Sequence, residues 1–265
     1  MKKVNNRIIK GVLCLVTLST MLIGQNNILT KGYAQDTYSE VAGESHTGSF
    51  SVDSLTLQPG ATTTSINLNW YAPAGTTVAK IQFGDQTYDV TAKPLTSPTE
   101  IKSDKYTDTG KLVCKTTISN LKPDTKYTYY ISNDGGTTWS KEYNYTTPSS
   151  NEFTFGFTSD PQIKENKEIN SEGWNPSDET NQTGWATMME TLEKQGVDLV
   201  VSAGDQVEDQ NWGKSSEYEA FFAPEEMTSI PYAPAVGNHD RHYMFADHFN
   251  LPNQMESLTE VKTTF

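Results

Sequence analysis

The sequence has 265 residues, of which 20 are basic and 33 acidic, so it carries a net charge of −13 and has room for one large or two modest domains. Five of the basic residues and none of the acidic ones lie in positions 1–34, so the remainder has 15 basic residues and a net charge of −18. A surface this negative repels phosphate backbones, which excludes nonspecific nucleic-acid binding. Only Cys114 lies beyond position 34, so the mature fold depends on a core rather than on an internal disulfide.

Residues 1–34 are typical of a signal peptide. A basic start is followed by an uncharged, mostly apolar run of 14 residues, 11–24, which fits a signal-peptide core and is short for a membrane span. Gly32-Tyr33-Ala34 places small residues where a signal peptidase reads them. This pattern predicts cleavage after Ala34 and a secreted protein without stable membrane insertion; the alternative is an uncleaved anchor. Residues 35–48 are polar and are predicted to be a linker.

Residues 49–147 have the pattern of a β-sandwich. Short segments alternate polar and apolar residues between turn signals, and none has a helical period. The predicted strands are residues 65–70, which we expect to be half-buried, 79–83, 111–118, and one with Tyr127, Tyr129 and Ile131 on a single face. Roughly 100 residues of such strands favour two packed sheets.

The pattern changes in residues 152–265 to alternating strands and helices. Strands are predicted at 153–159, 197–202 and 230–236. The apolar residues between them recur at helical spacing, at Trp185, Met188, Met189 and Leu192 and again at Tyr218, Phe221 and Phe222. Gly196 is predicted to end the first helix. The β-branched run 197–202 is typical of a strand buried on both faces, so an α/β unit with a mostly parallel sheet is expected.

Polar side chains follow each of these three strands, in the blocks Asp160-Pro161-Gln162, Gly204-Asp205-Gln206 and Gly237-Asn238-His239-Asp240. Because ligands of parallel sheets bind at the carboxyl ends of the strands, we expect the three blocks to meet at one edge. Carboxylate, amide oxygen and imidazole suit divalent ions such as Mn, Fe and Zn. The glycines are predicted to let the chain turn sharply into the site. The alternative is that the aspartates are helix N-caps and the last block is a polar turn.

These three blocks, in this order and each ending a strand, resemble the opening of the calcineurin-like metallophosphoesterases. The preceding β-sandwich makes the chain similar to the purple-acid-phosphatase-like members, and the segment 121–127 resembles the corner of their fibronectin-type N-terminal domains. The resemblance covers about residues 50–260. It implies an all-β fibronectin- or immunoglobulin-like sandwich followed by the first half of an α/β (αββα sandwich) metallophosphoesterase domain.

The resemblance also implies a role for each matching residue. Asp160 would bind a first metal ion, Asp205 would bridge two ions, and Asn238 would bind the second. His239 would stabilise the transition state and protonate the leaving alkoxide, and Asp240 would orient His239. Two ions would lower the pKa of a bridging water, so that a metal-bridging hydroxide hydrolyses phosphate monoesters or diesters.

Two positions depart from the family pattern. Gln162 stands where the family has a histidine; it either binds metal through its amide oxygen or orients a water, so the ion pair stays open among Fe, Mn and Zn. Glu208 stands where the purple enzymes have a tyrosine, which implies no iron–tyrosinate absorption. The histidines outside the third block, His46, His242 and His248, receive no role.

The family completes its site with a histidine after a fourth strand and a Gly-His-x-His block, and nothing after Asp240 supplies either. We therefore expect the sequence to be a fragment or a premature stop whose metal site is incomplete. The alternative to a secreted phosphoesterase is a non-catalytic extracellular binding protein that uses the β-sandwich and carries a degenerate phosphoesterase half.

Overall fold

The structure is a computed structural model that describes residues 38–98, 106–149, 152–164, 178–208, 215–240 and 242–252. The predicted signal peptide, residues 1–34, lies outside the described residues. None of the helices in the described ranges is long and apolar enough to cross a membrane.

Residues 38–149 form two β-sheets that pack face to face around an apolar core. One sheet is antiparallel and has the order β2 (Asp53–Pro59), β3 (Ile66–Pro73), β7 (Tyr106–Ile118) and β6 (Ala92–Pro98). The other has the order β1 (Ser39–Val41), β8 (Thr125–Ser132), β4 (Ala79–Phe83) and β5 (Gln86–Val90), with β9 (Tyr143–Thr146) paired along β8. The core includes Leu57, Trp70, Ile81 and Ile131. The predicted β-sandwich is confirmed.

A tyrosine fixes the turn that leads into β8. The hydroxyl of Tyr127 accepts a hydrogen bond from the backbone N–H of Lys122 at 2.8 Å. Tyr127, Tyr129 and Ile131 are all buried in the core between the sheets. This confirms that they share one face, as alternation along a strand requires.

The described part of the predicted linker, residues 38–48, is attached to the sandwich. Strand β1 pairs in parallel with the start of β8, beside the end that β4 does not reach. Further along, the ring of His46 stacks on Trp139 at 4.4 Å, and its Nε2 lies 2.7 Å from Oε1 of Gln82. The contacts of this segment are backbone pairing by a three-residue strand and stacking by one imidazole, and neither requires an apolar sequence. The polar composition of residues 35–48 therefore gave no sign of this attachment and predicted a linker.

Residues 152–252 form an α/β unit. Its parallel sheet has the order β10 (Phe155–Thr158), β11 (Leu199–Ser202) and β12 (Tyr232–Pro234). Helices α1 (Asp178–Lys194), α2 (Ser215–Phe221) and α3 (His242–His248) follow these strands in turn, and a 3₁₀ turn, Glu225–Thr228, precedes β12. The predicted alternation is confirmed. Strand β12 is shorter than the predicted 230–236, since Pro231 and Pro234 have no N–H for the ladder.

Helix α1 packs one apolar face against the sheet, made of Trp185, Met189 and Leu192. It ends at Gly196, whose φ of +65° lies in the left-handed region. The N–H of Gly196 bonds to the Glu193 carbonyl at 2.8 Å, and the N–H of Val197 bonds to the Leu192 carbonyl at 3.3 Å. This pair of bonds is a Schellman ending, and it confirms the predicted stop.

The α/β unit covers the outer face of the sheet that contains β3. This face is polar but buried, with Thr56, Gln58, Asn67 and Asn69 each 3 % exposed or less. Residues 66–72 are buried on both faces, so the prediction of a half-buried strand is wrong. Its polar side packs against a second domain rather than facing water.

Asn250, just after α3, bridges the two domains. Its Nδ2 donates to the carbonyls of Leu68 at 3.2 Å and Thr116 at 2.7 Å, and its own carbonyl accepts from Nδ2 of Asn67 at 2.8 Å. Nearby, Lys115 Nζ on β7 donates to the carbonyl of Phe249 at 2.9 Å. These bonds replace the water that the polar face would otherwise bind.

Candidate metal centre

The loops that follow the three parallel strands lie side by side. Pairing between β10 and β11 continues past the strands, because the N–H of Asp160 bonds to the Gly204 carbonyl at 3.1 Å and that of Gln162 bonds to the Asp205 carbonyl at 3.0 Å. The loops after β11 and β12 are joined in turn by the bonds described below. The structure therefore brings the three predicted blocks together at one sheet edge.

Asp205 links the second loop to the third. Its side-chain Oδ1 accepts a hydrogen bond from the backbone N–H of His239 at 2.8 Å, and the residue is only 6 % exposed. Asp160 and Asn238 are exposed, and Gln162 is half-buried. The edge thus presents one fixed, buried carboxylate with accessible oxygen donors on either side of it.

Three of the predicted metal ligands have a left-handed backbone. The φ angles are +54° at Asp160, +45° at Gln162 and +53° at Asp205. Such conformations cost about 1–3 kcal/mol each in residues other than glycine, and they cluster at functional sites. Aspartate tolerates this region better than most residues because its short polar side chain bonds locally. Three of the six non-glycine residues with a positive φ in the described ranges are therefore positions that the strand-end pattern selected.

Gly204 and Gly237 allow the second and third loops to approach each other. A Cβ at Gly237 would lie 1.9 Å from Oδ1 of Asp205, and a Cβ at Gly204 would lie 2.9 Å from Cα of Gly237. Gly204 also has a φ of +125°, which agrees with the predicted sharp turn. The reason predicted for Gly237 is wrong, because close packing rather than a positive φ requires glycine there.

Asp240 does not orient His239, which corrects the predicted role. Nδ1 of His239 bonds to the carbonyl of Glu208, and because a carbonyl only accepts, that nitrogen carries a proton. Asp240 is fully buried; its Oδ1 accepts from the N–H of Gln206 at 3.0 Å and its Oδ2 from the N–H of Gly237 at 2.8 Å. Both carboxylate oxygens are occupied by backbone donors, so Asp240 clamps the second loop to the third.

Burial raises the pKa of Asp240 to about 6, although the N–H groups of Gly237 and Gln206 favour its charged form. The desolvation of this carboxylate is the larger effect because the side chain lies beneath the loops. The clamp therefore holds a costly buried charge that the two backbone donors stabilise only in part.

Sequence reasoning missed two buried rings beside Asp240. The hydroxyl of Tyr218 donates to Oδ1 of Asp240 at 3.4 Å, and the ring of Tyr218 stacks on His248 at 3.8 Å. The helical spacing of Tyr218, Phe221 and Phe222 predicted that Tyr218 is an apolar position of a helix, but not that its hydroxyl bonds to Asp240. The available signal for His248 was its place between the aromatic residues Phe245 and Phe249, which predicts a buried rather than a solvated imidazole.

The donor set at this edge fits an oxygen-rich metal site. The loops at this edge carry two carboxylates, Asp160 and Asp205, and two side-chain amides, Gln162 and Asn238, while no group of three or more His, Cys, Asp or Glu side chains in the described ranges is placed to hold a metal ion. Carboxylate and amide oxygens match Mn²⁺ better than Zn²⁺, which prefers imidazole and thiolate.

Known families match both parts of the chain. The purple acid phosphatase N-terminal domain matches residues 52–147, and the calcineurin-like phosphoesterase family matches residues 153–262. No curated protein sequence matches the chain. The solved structure of a purple acid phosphatase from yellow lupin (Lupinus luteus) seeds shares its fold, with a TM-score of 0.57 at 18 % identity over 76 % of this chain and 41 % of the lupin chain. The chain therefore has a β-rich N-terminal domain that matches the purple acid phosphatase N-terminal domain, followed by a domain that matches the calcineurin-like phosphoesterases.

Proposed function

We propose that this protein is a secreted, acid-phosphatase-like phosphoesterase that hydrolyses phosphate esters at a two-metal centre on the strand-end edge. The observation that most supports this function is the hydrogen-bonded alignment of the loops, which places Asp160, Gln162 and Asp205 beside the loop that bears Asn238. The match to the calcineurin-like phosphoesterases supports the class of reaction.

In this proposal each loop contributes ligands to the centre. Asp160 and Gln162 on the first loop would hold one ion, Asn238 on the third loop would hold the other, and Asp205 would lie between them. When bound, two such ions would stabilise charge on the phosphate oxygens and lower the pKa of a water. Because the N–H of His239 already fixes Oδ1 of Asp205, the central carboxylate is oriented before any ion arrives.

His239 is the proposed proton donor to the leaving alkoxide. Its Nδ1 proton is committed to the carbonyl of Glu208, so the alkoxide has to take its proton from Nε2.

The substitution Asp205→Asn tests this function, because it keeps the side-chain shape and an acceptor for the N–H of His239 while it removes the charge that would bind ions. With Mn²⁺ present, we expect the rate of p-nitrophenyl phosphate hydrolysis to fall by roughly 100-fold or more. Elemental analysis should show that bound manganese falls in the same variant. Asp85→Asn, in an exposed turn of the sandwich, is the matched control and should keep the wild-type hydrolysis rate and manganese content.

A folded wild-type protein that takes up neither Mn²⁺ nor Zn²⁺ would contradict the proposal. That result would favour the alternative of an extracellular binding protein that uses the sandwich. Equal activity in Asp205→Asn and Asp85→Asn would contradict it as well, because hydrolysis would then not depend on the central carboxylate.

Secretion is the part of the proposal that rests on the leader alone. N-terminal sequencing of the protein recovered outside the cells that make it tests this part. We expect the sequence to begin at Gln35. A protein that keeps residues 1–34 would support the uncleaved anchor instead.

A further inference from the structure

Four buried side chains connect the third metal-site loop to the N-terminal sandwich. Asp240 accepts from the hydroxyl of Tyr218 at 3.4 Å, and the ring of Tyr218 stacks on His248 with centroids 3.8 Å apart and planes within 17°. Nδ1 of His248 then lies 2.5 Å from the hydroxyl of Tyr71 on β3. All four residues are 1 % exposed or less. The connection is continuous and buried along its length.

We propose that Tyr71 of the N-terminal sandwich and Tyr218 are positioning residues for the metal centre, and that they act through Asp240. This inference rests on the proposed function, since it assigns these tyrosines to the same site. It makes the sandwich part of the catalytic machinery rather than an accessory domain.

The effect would reach the metal ligands through the clamp that Asp240 forms. The two backbone N–H groups that it binds belong to Gln206 and Gly237, which directly follow Asp205 and directly precede Asn238. A shift of the Asp240 carboxylate therefore moves the backbone on either side of the proposed site. Supporting groups of this kind orient metal ligands and are needed for affinity.

The position of His248 depends on the sandwich. Its Nε2 is buried and has no hydrogen-bond partner among the described residues, so the hydroxyl of Tyr71 is the hydrogen-bonding group that anchors the ring. Tyr71 in turn lies on β3, which is paired with β2 on one side and β7 on the other. The fixed end of the connection is thus a central strand, and its other end is the site loop.

Phenylalanine substitutions test the proposal, because each removes one hydroxyl and keeps the packed ring. Tyr71→Phe and Tyr218→Phe are compared with Tyr129→Phe. Tyr129 is also a buried sandwich tyrosine that reaches the other domain, donating to the Thr228 carbonyl at 2.5 Å, but within the described ranges it does not bond to Asp240. It controls for a general loss of stability at the domain interface.

The first readout is the dissociation constant for Mn²⁺, measured by calorimetry. We expect it to rise roughly 3- to 10-fold in Tyr71→Phe and in Tyr218→Phe, the range that one lost hydrogen bond allows. In the double variant the dissociation constant should rise by less than the product of the two single-variant fold-changes, because both substitutions act on one connection. Tyr129→Phe should leave the constant unchanged while its unfolding temperature falls.

The second readout needs no metal, so it separates this inference from the proposed function. Hydrogen exchange of the Gln206 and Gly237 amides, followed by NMR in metal-free protein, should accelerate in both test variants and not in Tyr129→Phe. If wild type binds no Mn²⁺, the proposed function fails, and the exchange rates still decide whether Tyr71 holds the loops. Exchange and affinity in Tyr71→Phe that match those of Tyr129→Phe would overturn the inference.

Discussion

The two faces of strand β3 are both buried, but different forces hold them. The inner face, with Ile66, Leu68 and Trp70, packs into the apolar core between the sheets of the sandwich. The outer face, with Asn67, Asn69 and Tyr71, packs against the α/β unit. The inner face stabilises one domain by removing apolar surface from water, whereas the outer face joins two domains and has to replace the hydration of every polar group it buries.

Protein hydrogen bonds replace the lost hydration only in part on the outer face of this sheet, which includes residues of β2 beside β3. Within the described ranges, Oγ1 of Thr56, Nε2 of Gln58 and both amide atoms of Asn69 are buried without a hydrogen-bond partner. Each such group lowers the stability gained at the interface, since an unpaired buried donor or acceptor costs about 1–3 kcal/mol. We therefore expect substitutions on the inner face to have larger and more uniform effects than those on the outer face.

Truncation of the inner face should give the largest effect. Trp70 is fully buried and its Nε1 donates to Oδ1 of Asn133 at 3.0 Å. We expect Trp70→Ala to lower the free energy of unfolding by about 3–5 kcal/mol, measured by urea denaturation, because it leaves a large cavity. Trp139→Ala, at a half-buried tryptophan outside this core, is the control. Equal losses in the two variants would contradict the ranking.

Acid should weaken the outer face through His248. Burial lowers the pKa of His248 from its ordinary 6.5 to about 3, so below pH 6.5 the unfolded chain takes up a proton that the folded chain refuses. The free energy of unfolding should then fall as the pH drops from 6.5 towards 3, by about 2–3 kcal/mol at about pH 4.5. Urea denaturation near neutral pH and at about pH 4.5 measures this loss. His248→Gln should show a smaller decrease, and the same decrease in both proteins would exclude His248 as its source.

Loss of the bridging asparagine should have an intermediate effect. Asn250→Ala removes the donors to the carbonyls of Leu68 and Thr116 and leaves both acceptors buried. We expect a loss of about 2 kcal/mol in the free energy of unfolding, measured by thermal denaturation. Asn144→Ala, at a half-buried position on β9, serves for comparison and should lose about 1 kcal/mol or less. A neutral Asn250→Ala would mean that these bonds do not hold the domains together.

The smallest effect should have the opposite sign. Thr56 is fully buried and its hydroxyl has no partner in the described ranges, so Thr56→Val removes an unpaired group at nearly constant shape. We expect a gain of up to about 1 kcal/mol in urea denaturation. Thr128→Val, whose hydroxyl donates to Oδ1 of Asn144 at 3.3 Å, should instead lose stability. A loss in Thr56→Val would indicate that a buried water bridges this hydroxyl.

The sequence predicted the site edge because local chemistry determines it. A β-branched run followed by Gly204-Asp205 predicts a parallel strand and its carboxyl end, whereas an aromatic segment predicts the strand before Asp160 and a short apolar segment predicts the strand before Gly237. The register of the sheet then brings the three loops together without further information. Donor types and their order along the chain were therefore enough to place the candidate ligands.

The outer face and the clamp could not be predicted in this way. Alternation at residues 65–70 has the same appearance whether the polar side chains face water or a second domain, and the covering residue Asn250 is far away in sequence. The resemblance assigned Asp240 to His239, but both oxygens of Asp240 are taken by backbone N–H groups. Backbone donors leave no trace in a sequence, because every residue except proline has one.

Strand β1 bears on where this protein can be shortened for expression. A version that starts at residue 52, where the family match begins, would keep strands β2 to β9 and lose β1. It would also expose the backbone donors and acceptors of Thr125–Tyr127, which β1 now covers. An open edge of this kind recruits strands from neighbouring molecules, so the shortened protein should be prone to self-association. We therefore expect residues Ser39–Val41 to limit self-association by covering this edge, and an expressed fragment should include them.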